Sequence, residues 1–97
     1  MKFDLKKKIM ADHWFSYLQK QICEEFEKIE KKGKKFSKRS WFKKDKKEGG
    51  GTSCLLSKGK VFDKVGVNKS TVSGKFKKEF RSKIFGANKK GEYWASG

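Results

Sequence analysis

Apolar residues recur every three or four positions over residues 12–32, which is the spacing of an amphipathic helix. They are Phe15, Leu18, Ile22, Phe26 and Ile29. Asp12 is expected to cap the N-terminus, and Gly33 lies where a left-handed residue would end the helix. The other side of the helix is charged, with acidic residues early and lysines late, as the helix dipole favours. The pattern predicts a scaffold helix.

An alternation with a period of two begins after this helix and predicts β-strands. Residues 53–57 and 60–65 are short runs of this type. Lys58 and Gly59 stand between them and suit a tight two-residue hairpin turn. Gly66 is expected to close the pair, so the sequence predicts a compact hairpin in the middle of the chain.

The strand predicted next, over residues 67–73, is unusually polar. Asn68 and Ser70 fall on one face of it, and Lys69 and Thr71 fall on the other. Polar side chains on a rigid strand suit the floor of a binding site. An exposed sheet face explains the same pattern equally well, so the strand alone does not decide between the two.

Shorter signals predict the remaining segments. Residues 40–42 suit a short strand. The three glycines at 49–51 are expected to interrupt regular structure and to permit a positive φ or a close backbone approach. Helical spacing returns over residues 75–85, a polar loop is expected over residues 88–91, and a strand is expected to begin at residues 92–95.

Lysine dominates the charge of the chain. The 97 residues carry 27 lysines and arginines against 11 acids, a net charge of +16. Such a field attracts polyanions, or a substrate with several carboxylates. Only Arg39 and Arg81 are arginine, the side chain that base and phosphate recognition favours, so a solvated surface is the better explanation. Aromatic residues among the lysines (Phe36, Trp41 and Phe42) keep a small nucleic-acid-binding module open as the alternative function.

Patterns for catalysis and metal binding are missing from the sequence. His13 is the one histidine, and it forms no zinc-ligand spacing and no nucleophile–base pattern with Cys23 or Cys54. The glycines lack the Gly-Lys-Ser/Thr ending of a phosphate-binding loop. Two isolated cysteines fit a reducing compartment, and the start of the chain has no apolar signal core. We therefore expect a cytoplasmic protein with no membrane span.

An ordered set of motifs resembles the oxygen-dependent coproporphyrinogen III oxidases of haem biosynthesis. That family shows a Leu-Gln-x-x-Ile-Cys-like helix, an aromatic segment with Trp, a Glu-Gly-rich loop, a hairpin ending Val-Phe-Glu-Lys-Ala-Gly-Val-Asn, and a polar strand ending His-Gly. This chain has, in the same order, Leu18-Gln19 with Ile22-Cys23, Ser40-Trp41, Glu48-Gly49-Gly50-Gly51, GKVFDKVGVN at 59–68 and STVSG at 70–74. The resemblance runs from Trp14 onward.

This resemblance implies an α+β fold, an antiparallel sheet flanked by helices, of which residues 1–97 form the N-terminal part of a single domain. It implies oxidative decarboxylation of two propionates of coproporphyrinogen III to vinyl groups, giving protoporphyrinogen IX, with O2 as co-substrate and no organic cofactor. The metal dependence stays open.

The resemblance also implies a homodimer with the hairpin at its interface, through Leu55, Leu56, Val61, Phe62 and Lys64. Asn68 and Ser70 are expected near the substrate cleft. The catalytic groups of the family fall beyond Gly97, so no catalytic residue and no metal ligand is assigned in this chain.

Three positions depart from the family pattern. The glycine run at 49–51 is one glycine shorter than usual, Lys69 stands where an apolar residue is typical, and Ser73 replaces the usual histidine before Gly74. Any role of that histidine is therefore lost here. We expect the chain by itself to be inactive, and to be loosely folded or self-associated.

Overall fold

The computed structural model describes residues 2–30, 33–84 and 90–97. Its first element is helix α1, Lys2–Glu30. Asp12 therefore lies well inside the helix, and the prediction that it caps the N-terminus is wrong. The extra turns carry Leu5, Ile9 and Met10, but these side chains are 58%, 47% and 70% exposed. No core-facing periodicity marks this part of the helix, which is why the sequence did not reveal it.

Four antiparallel strands form one sheet in the order β1-β2-β3-β4. They are β1 (Ser37–Phe42), β2 (Gly49–Ser57), β3 (Lys64–Lys75) and β4 (Glu92–Ser96). A 3-10 turn, Lys46–Glu48, leads into β2, and the short helix α2, Lys78–Arg81, follows β3. The predicted α+β class, an antiparallel sheet with helices, is confirmed, and so are the strands expected at 40–42 and 92–95.

The hairpin between β2 and β3 differs from the prediction in its turn. Ser57 pairs with Lys64, so residues 58–63 form the loop, and the prediction of a two-residue turn at Lys58 and Gly59 is wrong. The loop is closed by a 2.8 Å hydrogen bond from the amide of Lys58 to the carbonyl of Asp63, and Lys58 has a φ of 55°. Gly66 does not end the strand. It pairs with Leu55 inside β3, which is continuous through residues 64–75.

The three glycines at 49–51 form the start of β2, so the prediction that they interrupt regular structure is wrong. Gly50 and Gly51 are paired with strands on both sides, and Gly49 is paired with Val72 of β3. Their expected close backbone approach is confirmed. A Cβ at Gly49 would lie 2.1 Å from the carbonyl oxygen of Thr71, and one at Gly50 would lie 2.1 Å from that of Trp41. Gly49 also has a φ of 101°. Side chains are excluded here because the neighbouring strands occupy their space.

Helix α1 packs on one face of the sheet. The side chains that it buries are more polar than the apolar positions from which the helix was predicted. Gln19 and Cys23 are buried against the sheet and Glu30 is buried against the loop between β2 and β3, whereas Ile29 is 51% exposed. The sheet contributes Cys54 and Leu56, which are 1% and 0% exposed. The buried core is therefore small, as the low hydrophobic content predicts.

The segment after β3 is mostly not helical in the part that the structure describes. Residues 75–85 were expected to be a helix, but Lys75 ends β3 and α2 covers only Lys78–Arg81. Residues 85–89, and with them part of the predicted polar loop at 88–91, lie outside the described residues. Gly33 after α1 has a φ of 74°, the left-handed conformation expected of it.

Candidate functional site

The sheet has two different faces because side chains alternate along each strand. One face packs on α1 and includes Cys54, Lys69 and Thr71. The opposite face carries Asn68 and Ser70, and we call it the open face. By the strand register it also carries Arg39, Trp41, Ser53 and Leu55. No described helix packs on the centre of this face.

The two predicted cleft residues lie on the open face, as their alternation predicts. Asn68 pairs with Ser53 of β2, and Ser70 pairs with Gly51. Ser70 also exchanges two main-chain hydrogen bonds with Gly97, at 2.7 Å and 3.0 Å. Ser70 therefore lies directly beside the last residue of the chain. A role of either side chain in substrate binding stays a prediction.

A polar network joins α1 to the sheet on the other face. The Asp12 carboxylate accepts hydrogen bonds from the Lys69 ammonium group and from the Thr71 hydroxyl, the latter at 2.5 Å. Thr71 also contacts the Ser96 hydroxyl at 2.8 Å. The bonds from Lys69 and Thr71 hold the pKa of Asp12 below its ordinary value. Lys69, which departs from the family pattern, thus finds its partner in Asp12.

A second polar contact lies further along α1. The Gln19 side-chain amide donates to the main-chain carbonyls of Thr52 and Val67, at 2.8 Å and 2.9 Å. These carbonyls belong to β2 and β3, so one side chain links the helix to both central strands. Sequence patterning placed Gln19 in the helix but gave no indication of these contacts, because their acceptors are main-chain atoms.

Glu30 anchors the loop between β2 and β3. Its carboxylate is 4% exposed and accepts from the amides of Lys60, Val61 and Phe62 at 2.8, 2.8 and 2.5 Å. These bonds, with the one from Phe62 strongest, hold the pKa of Glu30 below its ordinary value. They also offset the unfavourable position of an acid at the C-terminal end of a helix. The sequence pattern places Glu30 on the charged, solvated side of the helix, and this prediction is wrong because the loop amides bury the carboxylate.

The five residues predicted for a dimer interface differ in exposure. Val61 is 58% exposed and Leu55 is 38% exposed, and Lys64 is also on the surface. Phe62 packs edge-on against Phe26 of α1, with 4.9 Å between the ring centroids. Leu56 is fully buried within the chain, so its side chain offers no area to a partner. These residues lie at the loop end of the hairpin.

A cavity of about 740 Å³ lies at the other end of the sheet. Ser73, Gly74, Tyr93 and Trp94 line it together with charged residues from α1 and from the 3-10 turn. Tyr93 stacks on Phe76, with 4.7 Å between the centroids. The cavity includes Ser73, the position at which the family pattern has histidine. It combines aromatic rings with charges of both signs and holds no nucleophile–base pair.

The two cysteines are free and buried, and both line a smaller cavity of about 180 Å³ between α1 and β1. Burial, together with the neighbouring Cys54 thiol, raises the pKa of Cys23 to about 12. A thiol of this kind stays protonated and unreactive at neutral pH.

The described residues contain no cluster of three or more histidine, cysteine, aspartate or glutamate side chains that could hold a metal ion. His13 is exposed on α1. Within the same residues, no helix is long and apolar enough to cross a bilayer.

Comparison with known proteins assigns this sequence to a family. The family model for coproporphyrinogen III oxidase matches residues 10–97. Curated relatives from Rickettsia typhi and Rickettsia prowazekii, both named oxygen-dependent coproporphyrinogen-III oxidase, are each 45% identical over 95% of this chain. A relative of the same name from Rickettsia felis is 45% identical over 96%. No solved structure matches.

The chain belongs to the coproporphyrinogen III oxidase family. It spans 35% of the length of these curated relatives.

Proposed function

We propose that the chain forms the N-terminal third of an oxygen-dependent coproporphyrinogen III oxidase. The whole enzyme decarboxylates two propionates of coproporphyrinogen III oxidatively to vinyl groups, giving protoporphyrinogen IX, with O2 as co-substrate and no organic cofactor. The observation that carries this proposal is the 45% identity, over 95% of the chain, to relatives named for that activity.

This chain contributes scaffold and a binding surface to that reaction. We expect the groups that carry out the chemistry to lie in the rest of the enzyme, as the family resemblance implies, and we assign none to this chain. The open face supplies polar and small side chains on rigid strands, as a substrate floor requires. The chain by itself is expected to turn over no substrate.

We further propose a cytoplasmic homodimer in which the hairpin loop contacts a second copy. The exposed Val61 and Leu55 support this arrangement, because apolar side chains at the end of a hairpin are normally covered in an assembly. The location is supported by Cys23 and Cys54, both free thiols as expected in a reducing compartment.

A chimera tests the proposed activity. This chain replaces the matching N-terminal third of the Rickettsia prowazekii enzyme, and a control enzyme carries the native third rejoined at the same junction. We expect O2-dependent formation of protoporphyrinogen IX, detected by fluorescence after oxidation, at a rate within about tenfold of the control. A folded chimera without turnover would contradict the proposal.

The structure does not support the alternative function, a nucleic-acid-binding module that stacks bases on aromatic side chains. Trp41 and Phe42 are adjacent on β1 and so point to opposite faces of the sheet. They do not form one stacking surface on which successive bases could lie.

A further inference from the structure

Strand β1 and the residue after it place two cationic side chains on the open face, on either side of an aromatic ring. Lys38 lines the small cavity beside Cys54, on the α1 side of the sheet. Because side chains alternate, Arg39 and Trp41 point the other way. Lys43 follows the same alternation, and its ammonium group lies 3.2 Å from the Tyr93 hydroxyl. The order along this face is therefore Arg39, Trp41, Lys43.

The surface beside Trp41 is low and open. A Cβ at Gly51 would lie 3.0 Å from Cε2 of Trp41, so the indole lies against Gly51, and it would lie 2.3 Å from the carbonyl oxygen of Lys69, so only a glycine fits there. Ser70 and Gly97 continue the same row across the sheet. Trp41 remains 39% exposed. A flat ligand can therefore approach the ring with only small side chains beneath it.

The two cationic groups differ in how firmly they are held. Arg39 is exposed and has no ion-pair partner within the described residues. Lys43 is half-buried, and its ammonium group donates to the Tyr93 hydroxyl and to the carbonyl of Ser73. It also lies 5.6 Å from the centre of the Tyr93 ring. Lys43 is thus a fixed positive charge, whereas Arg39 is free to form a bidentate pair with a carboxylate.

The spacing of these groups indicates the class of ligand. Four residues of extended backbone place the Cα atoms of Arg39 and Lys43 about 13 Å apart. The Lys43 side chain extends across the sheet to Ser73 and Tyr93, so the two charged groups are separated by a distance of at least this order. A macrocycle with carboxylates around its rim presents acidic groups at distances of this order, with an apolar ring system between them. A ring above Trp41 and carboxylates on either side would satisfy the aromatic and the charged groups together.

We propose that Arg39 and Lys43, on either side of Trp41, bind peripheral carboxylates of a tetrapyrrole tetracarboxylate on the open face. This inference rests on the proposed function and names substrate-positioning residues for it. Arg39 and Lys43 hold and orient the substrate through its acidic side chains and take no part in bond breaking. Removing either is expected to weaken binding without abolishing chemistry.

The test is a fluorescence titration of the chimera with coproporphyrin III, the stable oxidised tetracarboxylate. The variants are Arg39→Gln and Lys43→Gln, and the matched control is Lys38→Gln, which removes one charge from the same strand on the other face. We expect a loss of affinity of about tenfold for each open-face variant and less than about twofold for the control. Equal losses in all three would show that only the general positive field acts, and would overturn the inference.

A second tetrapyrrole with two carboxylates, mesoporphyrin IX, provides a further readout. The unaltered chimera is expected to prefer the tetracarboxylate, and Arg39→Gln is expected to reduce that preference. A merely structural effect of the substitution would weaken the binding of both ligands equally, and that result would also overturn the inference.

The chimera separates this inference from the proposed function. If it is active and Arg39→Gln raises KM severalfold with kcat unchanged, the inference is supported in the working enzyme. If it is active and the variants behave as Lys38→Gln does, the inference fails and the function stands. If it is inactive while it still binds coproporphyrin III through Arg39 and Lys43, the activity fails and the site stands.

Discussion

Asp12 connects α1 to the sheet through Lys69 and Thr71, and it illustrates what single positions reveal about this chain. An acid that precedes an apolar helical run normally predicts an N-cap. The extra turns of α1 are largely exposed, so Asp12 is internal to the helix and bonds to the sheet instead. Such contacts depend on the tertiary fold, and local sequence rules do not predict them.

Replacing Asp12 by Asn should destabilise the fold, because the Lys69 side chain, only 14% exposed, loses its charged partner. We expect the free energy of unfolding, measured with urea, to decrease by about 1–2 kcal/mol. This is less than the cost of breaking a fully buried ion pair, because Asp12 is partly exposed to solvent. Adding Lys69→Met should recover most of the loss. The control, Glu25→Gln, breaks the exposed pair with Lys28 and should cost no more than about 0.5 kcal/mol. A loss for Asp12→Asn as small as the control's would refute this role.

Glu30 predicts how stability depends on pH. Its pKa is lowered on folding by bonds from the loop amides, so its contribution is complete above its unfolded pKa and is lost as the pH falls through the folded value. The urea concentration at the midpoint of unfolding should therefore decrease as the pH is lowered below about 5. Glu30→Gln should make this decrease smaller. The measurement is a series of unfolding curves at decreasing pH. An unchanged slope in the variant would mean that Glu30 is not the titrating group.

At the scale of elements, the periodicity of the sequence predicted the presence of helices and strands better than it predicted the residues at which they end. The helix over 12–32 was expected from the spacing of its apolar residues and the strand at 92–95 from its aromatic residues. Helix α1 contains residues 12–30 and β4 contains residues 92–95, while residues 31–32 lie outside the described residues. The faces of β3 also followed from alternation, which placed Asn68 and Ser70 together. The helix expected over 75–85 is largely absent, since Lys75 is still paired in β3.

The glycines of β2 were misjudged for a physical reason. Glycine is depleted in strands, so a run of three favours a loop in any sequence-based prediction. Here, strands on both sides approach closely enough to exclude a side chain, which only the assembled sheet reveals. The same property that weakens an isolated strand permits this sheet to pack tightly.

Substitution of these glycines tests that explanation. Gly50→Ala should destabilise the fold by more than about 2 kcal/mol, or prevent folding, because its Cβ would lie 2.1 Å from a main-chain oxygen of β1. Gly66→Ala is the matched control, since nothing lies within 4 Å of a Cβ there. Thermal melts of both variants provide the comparison. Similar stability in the two variants would contradict the close approach.

On the scale of the whole molecule, the described residues combine a small core with an open sheet face, as expected of the proposed N-terminal third of a larger domain. Leu56 and Cys54 are the largest fully buried side chains of the described residues, while Trp14 and Tyr17 are each 55% exposed on α1. Relatives of about three times the length have further polypeptide, because this chain covers 35% of theirs. The family followed from ordered motifs in the sequence, whereas the open-face geometry required the strand register.

The isolated chain should accordingly be weakly cooperative or self-associated. Exposed apolar groups such as Ile9 and Val61, together with the outer edge of β4, favour contacts between copies. Sedimentation across a concentration series should show association, and Val61→Lys should reduce it. A strict monomer with a sharp, cooperative thermal transition would contradict this expectation.

The intact mass of the native product in its source cells tests the central claim most directly. If the chain is the N-terminal third of an oxidase, peptides from residues 1–97 should occur in a product of about three times 11.3 kDa, the scale set by the 35% coverage of the relatives. A native product of 11.3 kDa would contradict that claim, because it would have only about a third of the length of the relatives named for the activity.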